Sequence, residues 1–118
     1  MTRFARLLVV PLALSGGCSS PEKPSIYSAD PTVKIPAIAT ADAGDKKAIK
    51  QLVKDLDSDD PAVRFYTIEK LRRITGKTFG YRYYEDEIRR APALKQWQQW
   101  LAEREGTAKP GTTTSASY

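Results

Sequence analysis

Residues 60–76 read Asp-Pro-Ala-Val-Arg-Phe-Tyr-Thr-Ile-Glu-Lys-Leu-Arg-Arg-Ile-Thr-Gly and predict one complete helix. Asp60 can cap its start by accepting from free backbone amides, and Pro61 suits the first helical position. Gly76 can adopt the left-handed conformation that ends a helix. One face of this helix is apolar at helical spacing and has to be buried. That face consists of Val63, Thr67, Ile68, Leu71 and Ile74.

A second helix is predicted before it, capped by Asp45 and running to about Asp57. Its two faces differ sharply, as expected of a helix that lies on a core. The apolar face has Ile49, Leu52, Val53 and Leu56, and the basic face has Lys46, Lys47, Lys50 and Lys54. Because only a short turn leads to Asp60, the two helices should fold back as an antiparallel hairpin.

A third helix is predicted from Pro92 to about Arg104, with Gly106 as its stop. Its apolar side comprises Leu94, Trp97, Trp100 and Leu101. We expect this side to cap the hairpin, with Phe79 and Tyr81 from the preceding loop against the tryptophans. Tryptophans that grip a sugar are the alternative, but their spacing with leucines favours packing in the core.

The hairpin resembles a HEAT repeat. A Leu-x-x-Leu segment is followed by Asp-Ser-Asp-Asp-Pro-Ala-Val-Arg and by a helix that ends in Leu, and the resemblance covers about residues 46–102. It implies that Asp60 and Pro61 form the turn within the repeat. It also implies that Val63 enters the core and that Arg64 hydrogen-bonds along the hairpin. The implied fold class is all-α, with one HEAT-like hairpin and a C-terminal capping helix over residues 45–105.

Composition limits what else the chain can be. Of its 118 residues, only about 60 look able to fold, so a single small domain is expected. The formal charge is +5 and becomes +3 without Arg3 and Arg6, which is mild for a nucleic-acid binder. The chain has no histidine and one cysteine, so no internal disulfide and no histidine-dependent nucleophile is available. We therefore expect no enzymatic activity, no cofactor and no nucleic-acid partner.

Residues 1–17 are typical of an export signal, with two arginines and a short apolar stretch before Ser15-Gly16-Gly17. About 20 apolar residues are needed to cross a bilayer, and this stretch is far shorter. Small residues before Cys18 resemble a bacterial lipobox, although Leu14 stands four residues before the cysteine instead of three. The resemblance implies acylation of Cys18, and Ser19 suits sorting to an outer membrane. Cleavage by an ordinary signal peptidase is the alternative.

Residues 18–44 are rich in Pro, Ala, Ser and Thr, which predicts a flexible, extended linker with partial order near Val33–Ile38. A short edge strand is the alternative interpretation. Residues 106–118 have no apolar period and are expected to be a disordered tail.

Two further patterns have both plain and functional interpretations. Asp55, Asp57 and Asp59 imitate the start of a calcium loop, but the Gly and Glu required later in such a loop are missing, so an acidic turn is favoured. Lys77, Tyr81, Arg82, Tyr83 and Tyr84 mix bases with aromatic residues, as single-strand binders do. A packing loop with exposed tyrosines is favoured there, and a contact surface for a protein or a glycan is the alternative.

Together these patterns predict a lipid-anchored module of a bacterial envelope, facing the periplasm, that binds an unidentified envelope protein. Its acyl chains would be its contact with the membrane, and its oligomeric state is left open. A binder of anionic envelope polymer, using the lysine face of the helix after Asp45 and the Arg72/Arg73 end of the next, is the first alternative. A purely structural spacer is the second.

Overall fold

The computed structural model of the chain describes Gly17 and residues 22–108. This part is all-α and contains no strand; its helices are α1 (Pro31–Thr40), α2 (Lys46–Asp55), α3 (Pro61–Thr75) and α4 (Glu87–Ala108). The prediction of an all-α fold is therefore confirmed for the described residues. Residues 1–16 of the leader, Cys18 and residues 109–118 of the tail lie outside the described residues.

Helix α3 begins and ends where the sequence predicts. The Asp60 carboxylate accepts hydrogen bonds from the amides of Ala62 at 2.7 Å and Val63 at 3.4 Å. Gly76 has a φ of 72°, and its N–H donates to the carbonyl oxygen of Arg72 at 2.8 Å. Glycine adopts this left-handed conformation at little energetic cost, which explains why a glycine stands at this position.

Helix α2 has the two predicted faces. Asp45 caps it by accepting from the amides of Lys47 at 2.9 Å and Ala48 at 3.2 Å. The predicted apolar residues Ile49, Leu52, Val53 and Leu56 are all buried, whereas Lys46, Lys47, Lys50 and Lys54 are all exposed. Helices α2 and α3 pack against each other as the central pair of the fold.

Helix α4 covers α2, as the prediction of a capping helix requires. Trp97 is fully buried, and its indole N–H donates to the carbonyl oxygen of Thr78 at 3.1 Å. Its ring meets Phe79 edge to face at 4.8 Å and Trp100 at 5.4 Å. Core packing of Trp97 is therefore confirmed, and Trp100 is partly buried against the same cluster.

The prediction of an extended linker up to residue 44 is wrong, because residues 31–40 form α1 and pack on α3. Order begins earlier still. Ile26 is buried in the core, and the N–H of Ser25 donates to the carbonyl oxygen of Val33 at 3.3 Å. The folded part thus includes about 20 residues that the sequence analysis assigned to the linker.

Helix α1 forms despite a proline at its sixth position. Asp30 caps it, accepting from the hydroxyl of Thr32 at 2.7 Å and from its amide at 2.8 Å, and these bonds lower the pKa of Asp30. Pro36 has no N–H for the carbonyl of Thr32, which weakens a helix interior. The missing hydrogen bond is offset by burial of apolar surface, because the core includes Val33, Ala37 and the fully buried Ile38.

The predicted limits of the last helix are also wrong. Helix α4 begins at Glu87, where the side chain of Asp86 accepts from the amide of Arg89 at 2.8 Å. Pro92 is therefore the sixth residue of the helix and not its first. Gly106 does not stop the helix, which continues to Ala108.

A tight turn connects α3 to the residues before α4. Phe79 and Gly80 have φ angles of 52° and 72°, and the N–H of Tyr81 donates to the carbonyl oxygen of Thr78 at 3.0 Å. Two consecutive positive φ angles with this bond are typical of a type I′ turn. The turn places Phe79 against Trp97, as predicted, and buries Tyr81.

Candidate functional site

The four turn residues implied by the HEAT resemblance lie together at the start of α3. Asp60 caps the helix, Pro61 is its first residue, and Val63 is 2% exposed. Arg64 is buried as well, which is uncommon for a charged side chain and requires hydrogen-bond partners.

Those partners are backbone carbonyls on two different segments. One guanidinium nitrogen of Arg64, Nη1, donates to Ser58 at 2.7 Å and to Asp59 at 3.0 Å, both in the turn before α3. Its Nε donates to the carbonyl oxygen of Tyr83 at 2.9 Å. Arg64 therefore joins the α2–α3 turn to the loop that precedes α4.

The Tyr83 loop lies beside exposed rings of α3. Phe65 meets Tyr83 at 5.0 Å and Tyr66 at 5.2 Å between ring centroids, and Tyr83 meets Tyr84 at 5.3 Å. All three contacts are edge to face, the favoured geometry of aromatic pairs. We call Phe65, Tyr66, Tyr83 and Tyr84 the aromatic patch.

The aromatic patch is exposed but firmly held. Tyr66 is 44% exposed, Phe65 38% and Tyr84 66%. Tyr83 is partly buried against the core and has its carbonyl held by Arg64. Two rings therefore stand on a helix and two on a loop whose backbone Arg64 holds. The contact surface that the tyrosines suggested thus also includes two residues of α3.

Arg90 is a buried residue that the sequence analysis missed. Its Nη1 donates to the carbonyl oxygen of Leu56 at 3.2 Å, and its Nε donates to that of Glu85 at 3.0 Å. The hydroxyl of Tyr81 donates to the same Leu56 oxygen at 2.6 Å. Burial raises the pKa of Tyr81, and the nearby positive charge of Arg90 opposes that rise. The spacing of seven residues from Trp97 could have placed Arg90 on the buried face of α4.

Asp55 ends α2 just before the acidic turn, as predicted, but its side chain is buried in an ion pair. One carboxylate oxygen, Oδ1, accepts from Nζ of Lys34 at 2.7 Å and from the side-chain amide of Gln51 at 2.9 Å. The other oxygen, Oδ2, is buried without a hydrogen-bond partner. This pair joins α1 to α2, and no group of acidic, histidine or cysteine side chains placed to hold a metal ion occurs in residues 22–108.

A second surface feature lies between α2 and α4. It is a groove of about 640 Å³, which we call the basic groove, lined by Tyr27, Lys47, Lys50, Gln51, Val53, Lys54, Gln98 and Leu101. None of these lining residues is acidic. The groove thus includes three of the four lysines of the predicted basic face, and it shares no residue with the aromatic patch.

Comparison of the chain with protein-family models, with curated proteins and with solved structures finds no match. Within the part of the chain that the structure describes, no helix is long and apolar enough to cross a membrane.

Proposed function

We propose that this protein is a non-catalytic, lipid-anchored envelope module that binds another envelope protein through the aromatic patch. In this proposal Cys18 carries the acyl chains and the domain faces the periplasm from the outer membrane. The helical domain is a single HEAT-type repeat, in which Arg64 hydrogen-bonds the turn of the hairpin.

The aromatic patch is the observation that carries this proposal. Exposed aromatic clusters are uncommon on monomeric proteins, and tyrosine and phenylalanine are enriched in protein interfaces. Phe65, Tyr66 and Tyr84 present ring surface to solvent, and the first two stand on a rigid helix. A rigid aromatic surface with phenolic hydroxyls suits a protein partner that supplies both apolar side chains and hydrogen-bond acceptors.

A capture experiment from cross-linked envelopes tests the patch. The double variant Tyr66→Ala/Tyr84→Ala should lose a partner that the parent protein enriches, because the two most exposed rings of the patch are gone. The variant Ile88→Ala removes an apolar side chain that is 84% exposed outside the patch and the basic groove, and it is the control. Equal recovery of every enriched protein by both variants would contradict a role for the patch.

Acylation of Cys18 is tested separately by mass spectrometry of the membrane-extracted protein. The expected product begins at Cys18 and carries acyl chains, and Cys18→Ser should abolish this mass and release the protein from membranes. An unmodified thiol at Cys18 would remove the anchor from the proposal.

A second candidate function is the binding of anionic envelope polymer by the basic face of α2. Its support is the exposure of all four lysines of that face, whereas Arg72 at the end of α3 is already paired with Glu69 at 2.8 Å. Retention on envelope polysaccharide should fall with added salt. It should be lost in a quadruple variant that replaces each of Lys46, Lys47, Lys50 and Lys54 with Glu. Retention that this variant leaves unchanged would exclude the second candidate.

A further inference from the structure

We propose that the basic groove docks the domain onto the anionic surface of the bilayer that holds its anchor. The inference rests on the acylation of Cys18 in the proposed function and adds an orientation for the whole domain. Its occupant is the layer of anionic phospholipid headgroups around the anchor. Three observations carry it: the length of chain before the fold, the place where the chain enters the fold, and the charge of the groove.

The chain between the anchor and the fold is short. Cys18 is eight residues before Ile26, the first buried residue of the described part, and even a fully extended chain covers at most about 3.6 Å per residue. The domain is therefore held within about 30 Å of the bilayer surface, where the linker predicted from the sequence would have allowed a much longer reach. At such a separation one side of the domain repeatedly meets the headgroups.

The chain enters the fold at the basic groove itself. Tyr27 directly follows Ile26, lines the groove and is 60% exposed. An anchor attached a few residues earlier therefore brings this side of the molecule to the bilayer. Tyrosine also suits the headgroup region, because its ring is apolar and its hydroxyl is polar.

The lining of the groove matches anionic headgroups. Lys47, Lys50 and Lys54 follow one face of α2, and the apolar side chains of Val53 and Leu101 lie between α2 and α4. Lysines placed beside apolar side chains can meet phosphates while the apolar groups contact the glycerol and upper acyl region.

No residue that lines the groove is acidic, although Asp57 and Asp59 line an adjoining depression that shares Lys54 with it. The ion pair of Lys50 with Glu105 is long, at 3.8 Å, and both side chains are largely exposed, so a lipid phosphate can replace the carboxylate. Asp55, on the same helix, is buried with Lys34. Asp45 is engaged as the cap of α2, at the end nearest Lys47.

The expected strength is sufficient for a protein that is already anchored. A lysine close to an anionic membrane favours the bound state by about fivefold. Three lysines together then shift the docked population by up to about a hundredfold. This effect would give weak binding for a free domain, but tethering removes most of the cost of association.

The test supplies the anchor chemically. The mature chain from residue 18 retains all the described contacts of residues 22–108 and has a single thiol, which can be coupled to a maleimide lipid in nanodiscs. Nanodiscs of phosphatidylcholine and phosphatidylglycerol with a spin-labelled lipid are compared with nanodiscs that lack phosphatidylglycerol. Paramagnetic broadening of backbone amide signals in NMR spectra reports which residues approach the bilayer.

We expect broadening concentrated on α2 between Lys47 and Lys54 and on α4 near Leu101, only with the anionic lipid and weaker at high salt. The variant Lys47→Gln/Lys50→Gln/Lys54→Gln should lose at least tenfold of the docked population. The variant Arg73→Gln/Lys77→Gln/Lys95→Gln removes the same charge from exposed positions outside the groove and should retain docking.

Several results would overturn the inference. One is broadening that is spread evenly over the surface. Another is an equal loss of the docked population in the two triple variants. A third is a set of chemical shift changes in α2 with free dextran sulfate, without broadening near anionic nanodiscs. Because coupling replaces the natural anchor, failure to dock overturns this inference alone. An unmodified Cys18 in cells overturns instead the anchoring that the proposed function requires.

Discussion

The Nε of Arg64 donates to the backbone carbonyl of Tyr83 at 2.9 Å, across 19 residues of sequence. The same guanidinium holds the turn before α3 through the carbonyls of Ser58 and Asp59. A buried cation that bonds only backbone oxygens is a structural cross-link, and here it also positions half of the aromatic patch.

Arg64→Ala should lower the free energy of unfolding by about 2–4 kcal/mol, because it leaves several carbonyl groups without their donor. Arg64→Lys should recover only part of the loss, since an ammonium group lacks the planar fork that reaches both segments. Urea unfolding measures both variants, with Arg73→Ala, an exposed arginine of the same helix, as the control. Similar losses at positions 64 and 73 would show that the cross-link contributes nothing.

Ile38→Ala should also be costly, because Ile38 is 0% exposed in the core that α1 shares with α3. Removing such a side chain costs about 2–5 kcal/mol. Ile88→Ala is the matched control, since Ile88 is 84% exposed on α4. Thermal or urea unfolding distinguishes the two, and equal stabilities would mean that α1 is not part of the cooperative unit.

The buried pair of Lys34 and Asp55 should behave unlike a surface ion pair. Lys34→Met leaves a buried carboxylate without its cation and should cost about 3–5 kcal/mol. The double variant Lys34→Met/Asp55→Leu should recover most of that loss, because it replaces both charges with apolar groups. Urea unfolding of both single variants and the double variant tests this, and a double variant no more stable than Lys34→Met would contradict it.

Stability should fall at high pH through Tyr81. Burial raises the pKa of its phenol above the ordinary value of 10.0, so the folded state favours the neutral form. The resulting stabilisation is complete below pH 10.0 and is lost as the pH rises through the higher pKa of the folded state. Urea unfolding across the alkaline range should show that the free energy of unfolding falls less for Tyr81→Phe than for the parent protein. Tyr84→Phe, at an exposed position, should follow the parent curve.

The sequence predicted the α2–α3 pair well because its signals are local. The caps at Asp45 and Asp60, the stop at Gly76 and the buried faces of both helices all depend on neighbouring residues. Helix α1 was predicted as linker and the limits of α4 were predicted wrongly, and both errors have one shared reason. Each helix has a proline at its sixth position, Pro36 and Pro92, and the energy that offsets its cost comes from tertiary packing.

Only two of the four residues of the aromatic patch could be predicted from the sequence, again because the other two depend on tertiary contacts. Tyr83 and Tyr84 stood out in the sequence as part of a mixed basic and aromatic loop. Phe65 and Tyr66 joined them only through the fold, because the contact depends on the long-range bonds of Arg64. The ion pair of Lys34 and Asp55 was hidden as well, since it joins α2 to a helix that was not expected.

The burial of Ile26 also determines where a protease can cut without damaging the core. A protease that cuts before Ser25 would leave the described core complete, because the first buried side chain among residues 22–108 comes after that point. A cut between α1 and α2 would instead separate Val33 and Ile38 from the other three helices, which would then lack part of their interior. A cut that leaves the described fold intact therefore has to fall before Ser25.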